Sequence, residues 1–255
     1  IGQSASAYTI TLKTQTGGKF RYKVGTGSWS GYSTSTAGVA VDVPNGQSIT
    51  MEAVPNSSTY YFVDWKYTPN GGSDTHWVYP YQYTFTPAGN GTRIAYFTTS
   101  YKTITAASNP TNTATIQVSG PFAEQALPTA GIKVGVGAQC TLSATPTTGN
   151  YFMRWNNPDG TQVTKRYYYS FVVSDNRSLT AVTTTECYTI KGSVNNTTYG
   201  NTIKVSGPLP EQDMPTAGIK VGRDATIYLT ATPRSSSYYF VNWTEGTTTT
   251  EASAL

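Results

Sequence analysis

The stretch Tyr60-Tyr61-Phe62-Val63-Asp64-Trp65 occurs three times in this chain. It returns as Asn150-Tyr151-Phe152-Met153-Arg154-Trp155 and as Tyr238-Tyr239-Phe240-Val241-Asn242-Trp243. Trp155 follows Trp65 by 90 residues and Trp243 follows Trp155 by 88. That period is too long for one coil of a solenoid and about the size of a small independent β domain. The chain therefore reads as three tandem units, each with its own core: 8–100, 101–186 and 187–255, with 1–7 as a linker or N-terminal extension. Tyr8-Thr9-Ile10, Tyr101-Lys102-Thr103-Ile104 and Tyr188-Thr189-Ile190 open the units.

Within each unit an apolar strand precedes the tryptophan and alternates strictly: Ile49, Met51, Ala53; Cys140, Leu142, Ala144; Ile227, Leu229, Ala231. Period two with one apolar face is a half-buried strand. Pro55, Pro146 and Pro233 follow, where a residue without an N–H can end a ladder. In the tryptophan segment, alternation puts Tyr61, Val63 and Trp65 on one face and Phe62 with Asp64 on the other. Either both faces are covered or a bulge realigns them. Turn residues come next, Asn70-Gly71-Gly72 and Asn157-Pro158-Asp159-Gly160. A tyrosine strand follows, with Tyr81, Tyr83, Phe85 and Tyr167, Tyr169, Phe171 facing the cores, and then a closing strand in which Arg93 to Phe97 matches Arg177 to Thr183. No segment has a sustained helical period, so the expected fold is all-β, three small sandwich-like domains in tandem.

The second and third units share 21 identities over the 32 positions from Thr115 to Pro146 against Thr202 to Pro233, which points to duplication. The first replaces most of that block with Lys19 to Tyr32, including an additional Trp29, and reads as a specialised or capping unit. The third contains only 12 residues after Trp243, with no tyrosine strand or closing strand. It reads as a piece of a longer array, or as a domain whose open sheet edge accepts strands from a neighbouring copy.

An apolar strand ending in Ala-Thr-Pro, an aromatic Tyr-Phe-x-x-Trp, a glycine turn, a Tyr-x-Phe strand and the closing Leu179-Thr180-Ala181 together resemble the divergent InlB B-repeat family. The resemblance implies secreted or surface-anchored bacterial proteins serving as stalks, adhesins or filaments, with neighbouring repeats or copies of the same chain as partners. It implies no catalytic residues.

Composition agrees with that setting and removes others. Charged residues make up 12% of the chain and aromatics 13%, with 20 tyrosines. The net charge of +4 comes from basic residues scattered singly, without a nucleic-acid footprint. No run of 18 apolar residues is present to span a membrane. The opening Ala5-Ser6-Ala7 reads as a small-residue linker. Cys140 aligns with Ile49 and Ile227 and reads as a buried thiol, with a bond to Cys187 as the alternative.

Searching for chemistry, the one histidine, His76, sits in a turn-like Asp74-Thr75-His76-Trp77 too local for a relay. The 13 acidic residues form no D-x-D-x-D series. Gly135-Val136-Gly137 has no helix after it to cradle phosphate. The sequence therefore predicts no enzyme, no cofactor and no metal. Trp29, Trp77, Tyr79 and Tyr168 depart from the core alternation or lack counterparts. They are candidates either for covering domain junctions or for stacking on surface glycans, a carbohydrate-binding alternative centred on the first unit. Trp65, Trp155 and Trp243 are the expected core.

Overall fold

The computed structural model describes residues 7–251 apart from 71, 74, 78, 79, 196, 197, 199, 246 and 247, with backbone alone at 75–77, 200–201 and 248–251. All regular elements among the described residues are β-strands, as a chain rich in Thr, Tyr and Val favours. Two compact units form. The first comprises Ile1–Ala106, Ile116–Ser143 and Tyr168–Ser178, and the second Ala107–Thr115, Ala144–Tyr167 and Leu179–Leu255.

In the first unit, strands β1 (Ala7–Thr14), β2 (Gly18–Val24), β3 (Val39–Pro44), β4 (Ile49–Pro55), β5 (Tyr61–Pro69), β6 (Thr75–Trp77), β7 (Gln82–Phe85) and β8 (Gly91–Thr98) make two sheets. One is β3-β1-β8-β5-β6 and the other β2-β4-β7. The pairing of β1 with β8 is parallel and the others are antiparallel. Ile10, Leu12, Phe20, Ile49, Met51, Phe62 and Trp65 from both sheets form one buried cluster, with Tyr81, Tyr83 and Phe85 packed against it.

The two alternatives for the tryptophan segment resolve as a bulge. The register of β5 against β8 shifts between Phe62 and Trp65. Both residues are buried, and their rings meet edge-on with centroids 6.2 Å apart. One extra residue in the strand thus converts alternation into a shared face.

The same strand order returns in β9 (Tyr101–Asn109), β10 (Ala114–Ser119), β11 (Gln125–Ala126), β12 (Ile132–Gly135), β13 (Gln139–Pro146), β14 (Tyr151–Asn156), β15 (Gln162–Thr164), β16 (Tyr168–Val172) and β17 (Arg177–Thr184). The sheets are β12-β9-β17-β14-β15 and β11-β10-β13-β16, the second gaining β11 at its edge. A register shift between Phe152 and Arg154 repeats the bulge. Cys140 is buried, and neither it nor Cys187 is in a disulfide.

The closing strands match in a register other than the expected one. Ala95 pairs with Trp65 and Ala181 with Trp155, so the counterpart of Arg93 is Leu179, two residues beyond Arg177. Both arginines nevertheless stack on equivalent rings: Arg93 lies 4.3 Å from the Phe85 centroid and Arg177 4.7 Å from that of Phe171. Residues two apart share a face, so a long side chain from either position reaches the same ring.

The remaining strands of the second unit are β18 (Cys187–Ile190), β19 (Gly200–Ser206), β20 (Gln212–Asp213), β21 (Ile219–Gly222), β22 (Tyr228–Pro233), β23 (Asn242–Glu245) and β24 (Thr248–Glu251). They pair as β18-β21, β20-β19-β22 and β23-β24. Among the described residues no strand pairs with the free side of β22, where the equivalent β13 has β16. Leu229, Phe240 and Trp243 are accordingly half-buried, whereas Leu142, Phe152 and Trp155 are buried.

Candidate functional site

The most regular feature of the structure is a set of contacts made twice, once inside each unit. In the first, Tyr81 precedes β7, and its carbonyl accepts hydrogen bonds from the Ala53 amide at 2.9 Å and the Trp65 indole N–H at 3.4 Å. Its own amide donates to the Gly120 carbonyl at 3.3 Å. In the second unit the Tyr167 carbonyl accepts from the Ala144 amide at 2.9 Å and the Trp155 indole at 3.2 Å, and its amide donates to Gly207 at 2.8 Å. The backbone of one residue thus ties the buried tryptophan to the Ser-Gly-Pro turn that follows β10 or β19. That turn requires glycine: φ is +134° at Gly120 and +119° at Gly207, and a Cβ would fall 2.2 Å from the Gln139 carbonyl oxygen or 2.4 Å from that of Thr226.

A second contact accompanies each. Gly135 ends β12 on Tyr61, Thr98 and the Phe62 carbonyl, and Gly222 ends β21 on Tyr151, Thr184 and the Phe152 carbonyl. Added Cβ atoms would lie 2.9–3.3 Å from those groups at Gly135 and 3.0–3.3 Å at Gly222. The next amide is held in both: Val136 donates to the Ser100 carbonyl and Arg223 to that of Glu186, each at 3.0 Å. The start of each bulged tryptophan strand therefore packs against the end of an I-K-V-G strand, β5 against β12 and β14 against β21.

The two joints differ in their side chains. At the first, the Tyr61 and Tyr101 rings stand 5.2 Å apart, and a shallow cleft of about 510 Å³ opens beside Tyr81, Phe122, Glu124 and Thr141. At the second, Cys187 holds the register position of Tyr101. Its hydrogen bond to Tyr151, with some burial, raises the Tyr151 pKa above its ordinary value. Tyr228 replaces Thr141 there and carries the Arg166 guanidinium 4.6 Å from its ring.

The aromatic candidates separate. Trp29 is half-buried on the outer face of β2, and Tyr168 is 37% exposed, beside Ser143 in the sheet register. The backbone of Trp77 pairs with Trp65, but its side chain and all of Tyr79 lie outside the described residues, as does the His76 side chain. Trp65 and Trp155 are fully buried.

Reading the basic residues as scattered singly missed one grouping. Lys19, Arg21 and Lys23 alternate with the core-facing Phe20, Tyr22 and Val24, so all three share the outer face of β2. Trp29, Tyr32 and Glu52 join them. Arg21 donates to Glu52 through Nε at 2.8 Å and Nη2 at 3.0 Å, and the Tyr32 hydroxyl donates to the same carboxylate. Burial pushes the Glu52 carboxyl up, but its hydrogen bonds from Arg21 and Tyr32 and the Arg21 charge outweigh that, leaving it below its ordinary value. The period-two run of cations was visible; the residues folding over it were not.

Among the described residues no group of three or more His, Cys, Asp or Glu side chains is placed to hold a metal, and no helix is long and apolar enough to cross a membrane. No curated protein and no solved structure matches the chain. Residues 81–186, from the Tyr81 joint through β17, match the family model described as the divergent InlB B-repeat domain. Over that stretch the chain is similar to the divergent InlB B-repeat family, a bacterial surface repeat type, as its aromatic and turn motifs imply.

Proposed function

We propose that this chain is a structural or adhesive segment of a bacterial extracellular multi-repeat protein, a stalk, adhesin segment or filament subunit, with β repeats at 8–100, 101–186 and 187–255. The observation that carries this reading is the twofold joint. Tyr81 with Gly120 and Gly135 is reproduced by Tyr167 with Gly207 and Gly222. A contact conserved in geometry while Tyr101 becomes Cys187 and Thr141 becomes Tyr228 serves the succession of repeats rather than chemistry at one of them. Such nearest-neighbour interfaces give a tandem array its cooperativity.

On this reading the half-buried Leu229 and Trp243 are acceptor positions for strands equivalent to β16 and β17, donated by a neighbouring copy. Light scattering and electron microscopy of the purified chain test that step. Fibres or a closed oligomer support assembly by strand exchange. A monomer removes assembly and leaves a stalk.

The array itself is tested by Gly135→Val in the full chain. The substitution is expected to split one cooperative unfolding transition into separate ones, and repeats that melt independently in the unaltered chain would overturn the reading.

A further inference from the structure

The outer face of β2 holds an arrangement that the other two copies lack. Residues 25–38 double back along β2: Ser30 donates its amide to the Tyr22 carbonyl at 2.8 Å, and Ser33 and Phe20 exchange amide bonds at 2.7 and 2.9 Å. That pairing sets two rings among the three cations. The Trp29 centroid is 4.5 Å from the Arg21 guanidinium and 5.3 Å from the Lys23 ammonium. The Tyr32 centroid is 4.8 Å from Lys19 and 4.9 Å from Arg21. Along the strand the order is Lys23, Trp29, Arg21, Tyr32, Lys19.

Glu52 is consumed in building this ladder. Its side chain is 8% exposed, and both oxygens are taken by Arg21 with one shared by Tyr32. Arg21 is thereby paired with a carboxylate and held within 5 Å of both ring centroids. Among the described residues Lys19 and Lys23 have no acidic partner, so two positive charges remain four residues apart, about 13 Å along the strand. In the second and third copies Gln117 and Lys204 stand for Arg21, and Ser143 and Thr230 for Glu52. The ladder therefore contributes nothing the fold itself requires.

We propose that this face binds an acidic polysaccharide. The rings offer apolar surface to the C–H faces of successive sugars, as aromatic side chains with one exposed face do, and the two ammonium groups pair with uronate carboxylates. The spacing of the lysines fits a short run of sugars rather than a single one. Tyr32, 44% exposed, keeps ring surface available. A neutral glycan would leave both ammonium groups without a role, and duplex DNA draws its affinity from many phosphate contacts that two lysines cannot supply. This assignment deepens the adhesive part of the reading above and borrows from it only the extracellular setting.

The test is electrophoretic retardation of the full chain in gels containing polygalacturonate, with dextran gels and a short DNA duplex as comparisons. Retardation by polygalacturonate alone is expected, weakening as salt screens the lysines. The double variant Lys19→Gln/Lys23→Gln keeps the core and should bind at least tenfold more weakly. Trp29→Ala should do the same with an unchanged circular dichroism spectrum, and Tyr168→Ala, in another copy, should bind normally. No retardation, equal retardation by dextran, preference for DNA, or indifference to the lysine substitutions would each overturn the proposal. Because the Gly135→Val melting experiment does not involve this face, either result leaves the array reading to be judged separately.

Discussion

The Trp155 indole N–H donates to the Tyr167 carbonyl at 3.2 Å, while the amide of the same Tyr167 donates to Gly207 at 2.8 Å. The buried Trp155 is thus two hydrogen bonds away from the turn at Ser206-Gly207-Pro208. Trp65 and Tyr81 stand in the same relation to Gly120. Core and joint are held by the backbone of one residue, so damage to the core should be felt at the joint.

Trp155→Ala is expected to destabilise the chain by about 3–5 kcal/mol, the range for an aromatic truncated to a cavity. Trp155→Phe should cost less, because most of the volume stays while the bond to Tyr167 is lost, a term of about 1 kcal/mol. Urea unfolding followed by tyrosine fluorescence measures both. A loss under about 1 kcal/mol for the alanine variant would mean the indole is not a core group.

At Gly222 the cost should come from contact rather than backbone strain, since an added Cβ would meet Thr184 at 3.0 Å and Tyr151 at 3.1 Å. Gly222→Ala is expected to lower stability by about 1–3 kcal/mol, as overpacking of a closed contact does. Gly46→Ala has open space around its Cβ, but its φ of +81° makes it a measure of backbone strain alone. Thermal melts of both variants separate the two costs, and equal melting of Gly222→Ala and the unaltered chain would remove the joint as a stabilising contact.

The Glu52 carboxyl titrates below its ordinary value of 4.5 in the folded state. A lowered folded pKa means the unfolded chain binds the proton first as pH falls, so the contribution is present above 4.5 and is lost as pH drops through the folded value. Glu52→Gln should therefore be about 1–2 kcal/mol less stable at pH 7, a figure kept small because Arg21 is partly exposed. The gap between the two proteins should close below pH 4.5. A gap that stays constant from pH 7 to pH 3 would show that the ion pair is not its source.

Burial pushes the Cys140 thiol up to about 12, whereas Cys187 is half-buried at the second joint. At pH 8 a disulfide reagent should label Cys187 in the native chain and reach Cys140 only after denaturant is added. Rapid labelling of both thiols without denaturant would contradict the burial of Cys140.

Some of this was readable directly. Ile49-x-Met51-x-Ala53 and Cys140-x-Leu142-x-Ala144 alternate in the sequence and supply the core-facing side chains of β4 and β13, because side-chain direction in a strand depends only on parity; the expected half-buried strand holds for β13, whereas in β4 Thr50 and Glu52 on the other face are buried as well. The bulge could be stated only as one of two options. Phe62 and Trp65 differ in parity, and the slip that reunites them depends on β8, some 30 residues onward. For the same reason Arg93 and Arg177 invited a match that the pairing of Ala95 and Ala181 with the tryptophans replaces.

The sequence by itself determined the all-β class, the recurrence of the aromatic segment and the resemblance to a surface repeat family, since each rests on local periodicity and on residues repeated along the chain. Tertiary structure alone decided the joints and the cation–aromatic face. Tyr81 meets Gly120, and Trp29 meets Arg21, only because strand pairing and a returning loop bring together groups whose residue types carry no local signal of one another. A hydrogen bond or ring contact depends on distance in space, which sequence separation does not encode.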